Sequence, residues 1–181
     1  MDSIEKARLL RGLTLETECG EAAKALSLLK DRSILDRVAE VMRGEVPAKA
    51  REMAAWLLGE LSPGTDSTIE ALHAVLNDPE ATEALRGQVI ESLGNQVCHL
   101  KGGEMYERAA DALIALLDEP SVEIRYNVAF ALGTLRCRRA RPMLERVASE
   151  DHRLYRGLEA VSEAALFSIE CIDCEPHGRK D

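Results

Sequence analysis

In the stretch DEPSVEIRYNVAFALGTL, Asp118 to Leu135, apolar residues return every four positions at Ile124, Val128 and Leu132. That period places one stripe on one face of a helix and predicts an amphipathic helix over Ser121 to Leu135. Its outward residues are then Tyr126, Asn127, Phe130 and Thr134. Two further stretches echo the pattern, KAREMAAWLLGEL and LRGQVIESLGNQ. Their outward sets are Glu52, Met53, Trp56 and Glu60, and Gly87, Gln88, Glu91 and Asn95. In all three an Arg stands eight residues before a Gly: Arg51 and Gly59, Arg86 and Gly94, Arg125 and Gly133. A Pro-containing turn precedes each Arg, at Pro47, Pro79 and Pro120, where the fixed φ and missing N–H of proline suit a first helical turn.

Glycine spacings of 35 and then 39 residues fit a helix pair plus its loops. The helix pairs are expected at Ser33 to Arg43 with Pro47 to Leu61, Asp66 to Leu76 with Glu80 to Val97, and Glu104 to Leu117 with Ser121 to Leu135. A fourth pair joins Ala140 to Ala148 to a helix running from near His152 to Ile172. In it Phe167 stands at the glycine position and Glu159 at the arginine position, a degeneration expected of a terminal repeat. At the amino end, Ser3 to Gly12 and Leu15 to Lys30 make a looser pair, with Ser27 at the glycine position. The fold class expected is all-α, a right-handed α-α superhelix of about five helix pairs. One domain covers 1–172, with a cap at 1–32, repeats at 33–64, 65–103, 104–137 and 138–172, and a tail at 173–181. The loop Asn95 to Glu104, with Gly102 and Gly103, is the longest interruption. It reads as a tolerant connector or, alternatively, as an insertion that meets a partner.

A helix pair cannot bury its apolar stripe alone, so each unit leans on the next, and the small Ala and Gly residues of the second helices allow close approach. The repeated Arg is expected to reach an acid or a carbonyl near a turn and so link neighbouring units. A solvated side chain is the alternative.

Composition agrees with a folded helical chain. Of 181 residues 46% are hydrophobic and only 3% aromatic, with Ala and Leu, both strong helix formers, dominating. The net charge of −9 argues against binding to phosphate backbones, which needs clustered Lys and Arg. Nucleic acid is therefore disfavoured as a partner. The opening MDSIEKARLL lacks a signal-peptide core and no apolar run reaches the roughly 18 residues of a membrane span, so a cytoplasmic protein without a membrane segment is expected. Five scattered cysteines do not form a disulfide framework and fit a reducing compartment.

The Ile124–Arg125 pair and the Ala-rich run to Leu132–Gly133, echoed in the two other half-repeats, resemble a HEAT repeat of the phycobilin-lyase-like subgroup. The resemblance covers roughly Ile34 to Ile172. It implies a HEAT-like solenoid whose second helices line the binding face, acting as a non-enzymatic protein-binding scaffold or adaptor. It also implies an alternative, a phycobilin-lyase-like subunit that binds a tetrapyrrole and assists its attachment to a protein.

On that reading the partner-binding residues are Glu52, Met53, Trp56, Gln88, Glu91, Tyr126, Asn127 and Phe130. The single Trp and one of the two Phe residues share one offset, three before the repeat Gly. Either they anchor a protein or peptide, or they cover the junction between adjacent second helices as core. The glutamates tilt the choice towards a basic or amphipathic partner. No cofactor is indicated, and a small-molecule ligand has no positive support. Cys171, Cys174 and His177 have C-x-x-C-x-x-H spacing, three soft ligands for zinc with no fourth in sight. The histidines are otherwise isolated, and Cys98 beside His99 is no dyad, since neighbours on a helix point about 100° apart. No nucleophile elbow, P-loop or dinucleotide fingerprint is present, which removes the positive case for catalysis without excluding it.

Overall fold

A computed structural model describes residues 3–174. The contacts divide the chain into two compact units, Met1–His99 and Leu100–Asp181. The boundary after His99 falls inside the glycine-containing connector Asn95 to Glu104.

The first unit holds α1 (Ser3–Gly12), α2 (Cys19–Leu29), α3 (Leu35–Arg43), α4 (Ala48–Glu60), α5 (Asp66–Leu76) and α6 (Glu83–Val97). The second helices stack in the order α2, α4, α6, and the first helices α3 and α5 pack beside them. Local chemistry starts these helices, although α2 begins at Cys19 rather than Leu15 and α6 at Glu83 rather than Glu80. Thr65 and Thr82 accept hydrogen bonds from the backbone N–H groups of Thr68 and Leu85, satisfying donors that a helix start leaves open. Pro47 precedes α4 directly.

The seam between α4 and α6 is buried and close. A Cβ on Gly59 would lie 3.2 Å from the Cα of Ser92, tighter than ordinary packing, so glycine favours this approach. The Ser92 hydroxyl then donates to the Ala55 carbonyl at 2.7 Å, and Gln96, fully buried, donates to the Leu58 carbonyl.

The second unit holds α7 (Glu104–Ala115), α8 (Val122–Thr134), α9 (Arg141–Glu150), a two-stranded hairpin of β1 (Leu154–Tyr155) and β2 (Glu159–Ala160), and α10 (Val161–Asp173). Helix α8 packs on α10 and α7, and α10 packs on α9. The same seam recurs here. A Cβ on Gly133 would lie 2.8 Å from the Cα of Ser168, and the Ser168 hydroxyl donates to the Ala129 carbonyl at 2.8 Å. Ile124, Val128 and Leu132 are fully buried, as the periodicity predicts.

Two expectations about the last repeat need correction. Its second helix begins at Val161, not near His152, because residues 154–160 turn back on themselves as an antiparallel hairpin pairing Leu154 with Ala160 and Tyr155 with Glu159. The Leu158 N–H donates to the Tyr155 carbonyl at 3.0 Å, closing a turn whose central residues, Arg156 and Gly157, have φ of 49° and 71°. Positive φ at both positions matches the right-handed twist of the strands. The extra residues also shift the register. Ser168 faces Gly133 as Ser92 faces Gly59, so Phe167 is the counterpart of Glu91 rather than of a glycine, and Glu159 lies in β2 outside the helix.

The arginine linkage is seen at Arg51 and at Arg125. Arg51 donates from Nε to the Met42 carbonyl at 2.9 Å and lies 3.9 Å from Asp78 in the next turn. Arg125, 4% exposed, donates to Asp151 at 2.7 Å, to the Pro120 carbonyl at 2.8 Å and to the Glu119 carbonyl. Each ties its own helix start to an acid after the next first helix. Arg86 is half-buried.

Candidate functional site

Helices α8 and α10 lie side by side, and each offers an i, i+4 pair to the same groove: Tyr126 with Phe130, and Glu163 with Phe167. The groove has a volume of about 580 Å³, with Ala164 between the helices and Leu158 at its rim. At one end the Phe130 and Phe167 rings stack, with centroids 5.7 Å apart and planes 7° apart. They remain 41% and 49% exposed. Burial alone does not explain two phenyl rings left half in water on adjacent helices.

The other end is polar. The Tyr126 hydroxyl donates to Glu159, and its ring stacks on Tyr155 at 4.3 Å. Arg156 sits 4.9 Å over the far ring, a cation–π contact, and pairs with Glu123 at 2.9 Å. The Ala160 N–H donates to Glu163 at 2.8 Å, capping α10. The hairpin therefore builds one wall of the groove, with Leu158 84% exposed at its tip.

Of the residues predicted to face a partner, Tyr126 and Phe130 come together here. Asn127 does not: it is 4% exposed, because α8 is covered by α10, α7 and β1 over more of its circumference than an isolated helical wheel allows. In the first unit Trp56 and Met53 are half-buried, and Met53 lies 3.9 Å from the place a Cβ on Gly20 of α2 would occupy. Glu52 pairs with Lys49 at 3.3 Å. Gln88 donates to Glu91 at 3.2 Å across one helical turn. Phe167, Tyr155, Leu158, Glu159 and Glu163 escaped the sequence reading. The Gly157 of the turn is the one trace of the hairpin in the sequence, and Arg-Gly is a weaker signal than Asn-Gly or Asp-Gly.

Asp151 and Tyr106 of the second unit have shifted titrations. Burial pushes the Asp151 carboxyl up, but the hydrogen bonds from Arg153 and Arg125, with the charge of Arg125, outweigh it and hold the group at about 2. Burial next to Cys137 raises the Tyr106 phenol to about 12. The Tyr106 hydroxyl donates to the Leu135 carbonyl at 3.2 Å, a structural bond. His152 approaches the Ser162 hydroxyl at 3.2 Å, while Asp151 is held by the arginines, so these three make no nucleophile-activating chain.

Among the described residues no group of three or more His, Cys, Asp or Glu is placed to hold a metal ion. Cys171 is half-buried and Cys174 exposed. His177, the third member of the zinc candidate, lies outside the described residues. No described helix is long and apolar enough to cross a membrane.

Comparison with known proteins supports this architecture. Residues 124–150, covering most of α8 and all of α9, match the PBS lyase HEAT-like repeat family. No curated protein matches the chain. Among solved structures, a designed armadillo repeat protein superposes with a TM-score of 0.55 at 15% identity, covering 91% of this chain and 81% of that one. Another designed armadillo repeat protein, in complex with the peptide (KR)4, gives 0.56 at 16% identity, over 91% and 80%. An engineered protein gives 0.56 at 18% identity, over 95% and 80%. At such identities the likeness speaks for fold alone. That fold is the all-α superhelix of stacked helical repeats.

Proposed function

We propose that this chain, a HEAT-like repeat protein, is a non-enzymatic scaffold that binds a peptide or protein segment on the face of its second helices. The observation that carries the reading is the exposed Phe130–Phe167 stack, an apolar platform on adjacent second helices that core packing does not require. Rigid aromatic surface of this kind supplies large contact area at low entropic cost. The fold it shares with designed proteins made for modular peptide recognition adds weight, as does the structure of one of them with (KR)4. In the second unit the proposed binding residues are Tyr126 and Phe130. In the first unit, taken by itself, they are Trp56, Met53, Glu52, Gln88 and Glu91.

Selection from a random-peptide display library tests it. Peptides enriched on the wild-type chain are expected to lose at least about tenfold in affinity, the loss typical of one interface anchor, for the Phe130→Ala/Phe167→Ala variant. Its melting temperature should fall by only a few degrees, since an exposed aromatic pair contributes about 1 kcal/mol. Equal enrichment on wild type and variant would overturn the site. A collapsed melt would instead show the rings to be core.

A second reading keeps a tetrapyrrole as the occupant. Its support is that Tyr126 and Phe130 fall within the matched PBS lyase HEAT-like segment and line a groove of about 580 Å³. Mixing the chain with a bilin decides it: an unchanged absorbance spectrum removes this reading.

A further inference from the structure

The two ends of the α8–α10 groove differ in chemistry. Phe130 and Phe167 make one end apolar, while Glu159 and Glu163 make the other acidic. Both glutamates are exposed. Each uses Oε2 in a bond within the protein, Glu159 to the Tyr126 hydroxyl and Glu163 to the Ala160 N–H, leaving Oε1 to accept another donor. The charge of Arg156, the cation beside this end, is met by Glu123 at 2.9 Å. An apolar side chain and a cation are therefore the complementary pair of guests.

Spacing sets the register of the guest. Tyr126 to Phe130 and Glu163 to Phe167 are each four residues along a helix, about 6 Å of rise. In an extended peptide, side chains on one side recur every second residue, about 6.8 Å apart. Leu158 stands out from the hairpin turn at the rim of the groove. The groove holds about 580 Å³, less than the roughly 850 Å³ that two turns of a helix about 10 Å across occupy, so an extended chain is the better fit.

We propose that this groove binds an extended segment carrying an apolar side chain and a lysine or arginine two residues apart, with the apolar group on Phe130 and Phe167 and the cation at Glu159 and Glu163. The inference rests on the peptide-binding reading above and narrows its partner to one chemistry.

The test is a titration of the isotopically labelled full chain, followed by amide NMR, with short Gly/Ser peptides containing Leu-x-Arg, Leu-x-Glu, adjacent Leu-Arg, or Leu-x-x-x-Arg. The Leu-x-Arg peptide should shift amides in 126–130 and 159–167 and bind about fivefold more tightly than the others, the scale of two exposed charge contacts. Added salt should erode that preference. In the Glu159→Gln/Glu163→Gln variant, which keeps both internal acceptors, the preference for Arg over Glu should vanish while the Leu contact persists. If Leu-x-Glu binds as well as Leu-x-Arg, the charge assignment is wrong and the peptide-binding reading survives. If Leu-x-x-x-Arg or adjacent Leu-Arg binds best, the extended register is wrong. If no peptide moves these amides, the inference and the reading beneath it fall together.

Discussion

Arg125 and Asp151 concentrate the electrostatic stakes of the second unit in one buried pair, 2.7 Å apart. The guanidinium also donates to the carbonyls of the α7–α8 turn, so the ion pair fastens a helix start as well as a neighbour. Removing one partner of such a pair leaves a buried charge unanswered, and Asp151→Ala is expected to cost about 3 kcal/mol in urea unfolding at neutral pH. The acid limb provides a finer measurement. The folded carboxyl titrates at about 2 against an ordinary value of 3.8, so its contribution is complete above pH 4 and disappears as pH falls towards 2. Wild type should lose about 2 kcal/mol more than Asp151→Ala across that window. Parallel acid limbs would show that the pair is not charged in the folded protein. The recurring Arg was legible in sequence because three chain segments repeat it at one spacing. Its acid was not, since Asp78 and Asp151 sit at different distances from proline and hairpin.

At the scale of elements, the seams between second helices govern the repeat. Gly133→Ala would force a methyl group against the Ser168 backbone. It should lower stability by about 1–3 kcal/mol even though alanine gains about 1 kcal/mol of helix propensity. Gly59→Ala, whose methyl meets Ser92 less tightly, should cost less. Thermal melts of the two variants check the order, and a neutral Gly133→Ala would disprove the seam. The glycines were readable because a missing Cβ is a demand that backbone packing makes on residue type. The hairpin was not, because its seven residues, 154–160, are too few to display a period. Missing it carried the last register off by three residues and hid Phe167 in a position reserved for packing. Asn127 failed for a different reason: a helical wheel gives direction, and only the neighbours decide what covers it.

For the whole molecule, the thiols report on burial in both units at once. Cys19 and Cys137 are buried, Cys98 and Cys171 half-buried and Cys174 exposed. Under native conditions a thiol-reactive dye should label Cys174 fastest. Cys98 and Cys171 should follow more slowly, because burial raises both above the ordinary thiol value and lowers their thiolate fraction. Cys19 and Cys137 should react only on unfolding. Rapid native labelling of all five would contradict the packing of α2 and of the α8–α9 connection. At this scale the sequence foretold the class of fold, because stacked repeats write their period directly into the chain.

The repeated glycine–serine seam separates two jobs along one helix. Pitch between neighbours is encoded on the flank that carries Gly59 with Ser92, and Gly133 with Ser168, while positions 56, 91, 130 and 167 lie off that flank. Vocabulary can therefore be rewritten there without disturbing the grammar that spaces it. Grafting the Phe130–Phe167 pairing onto Trp56 and Glu91 becomes a problem of two substitutions rather than a new backbone.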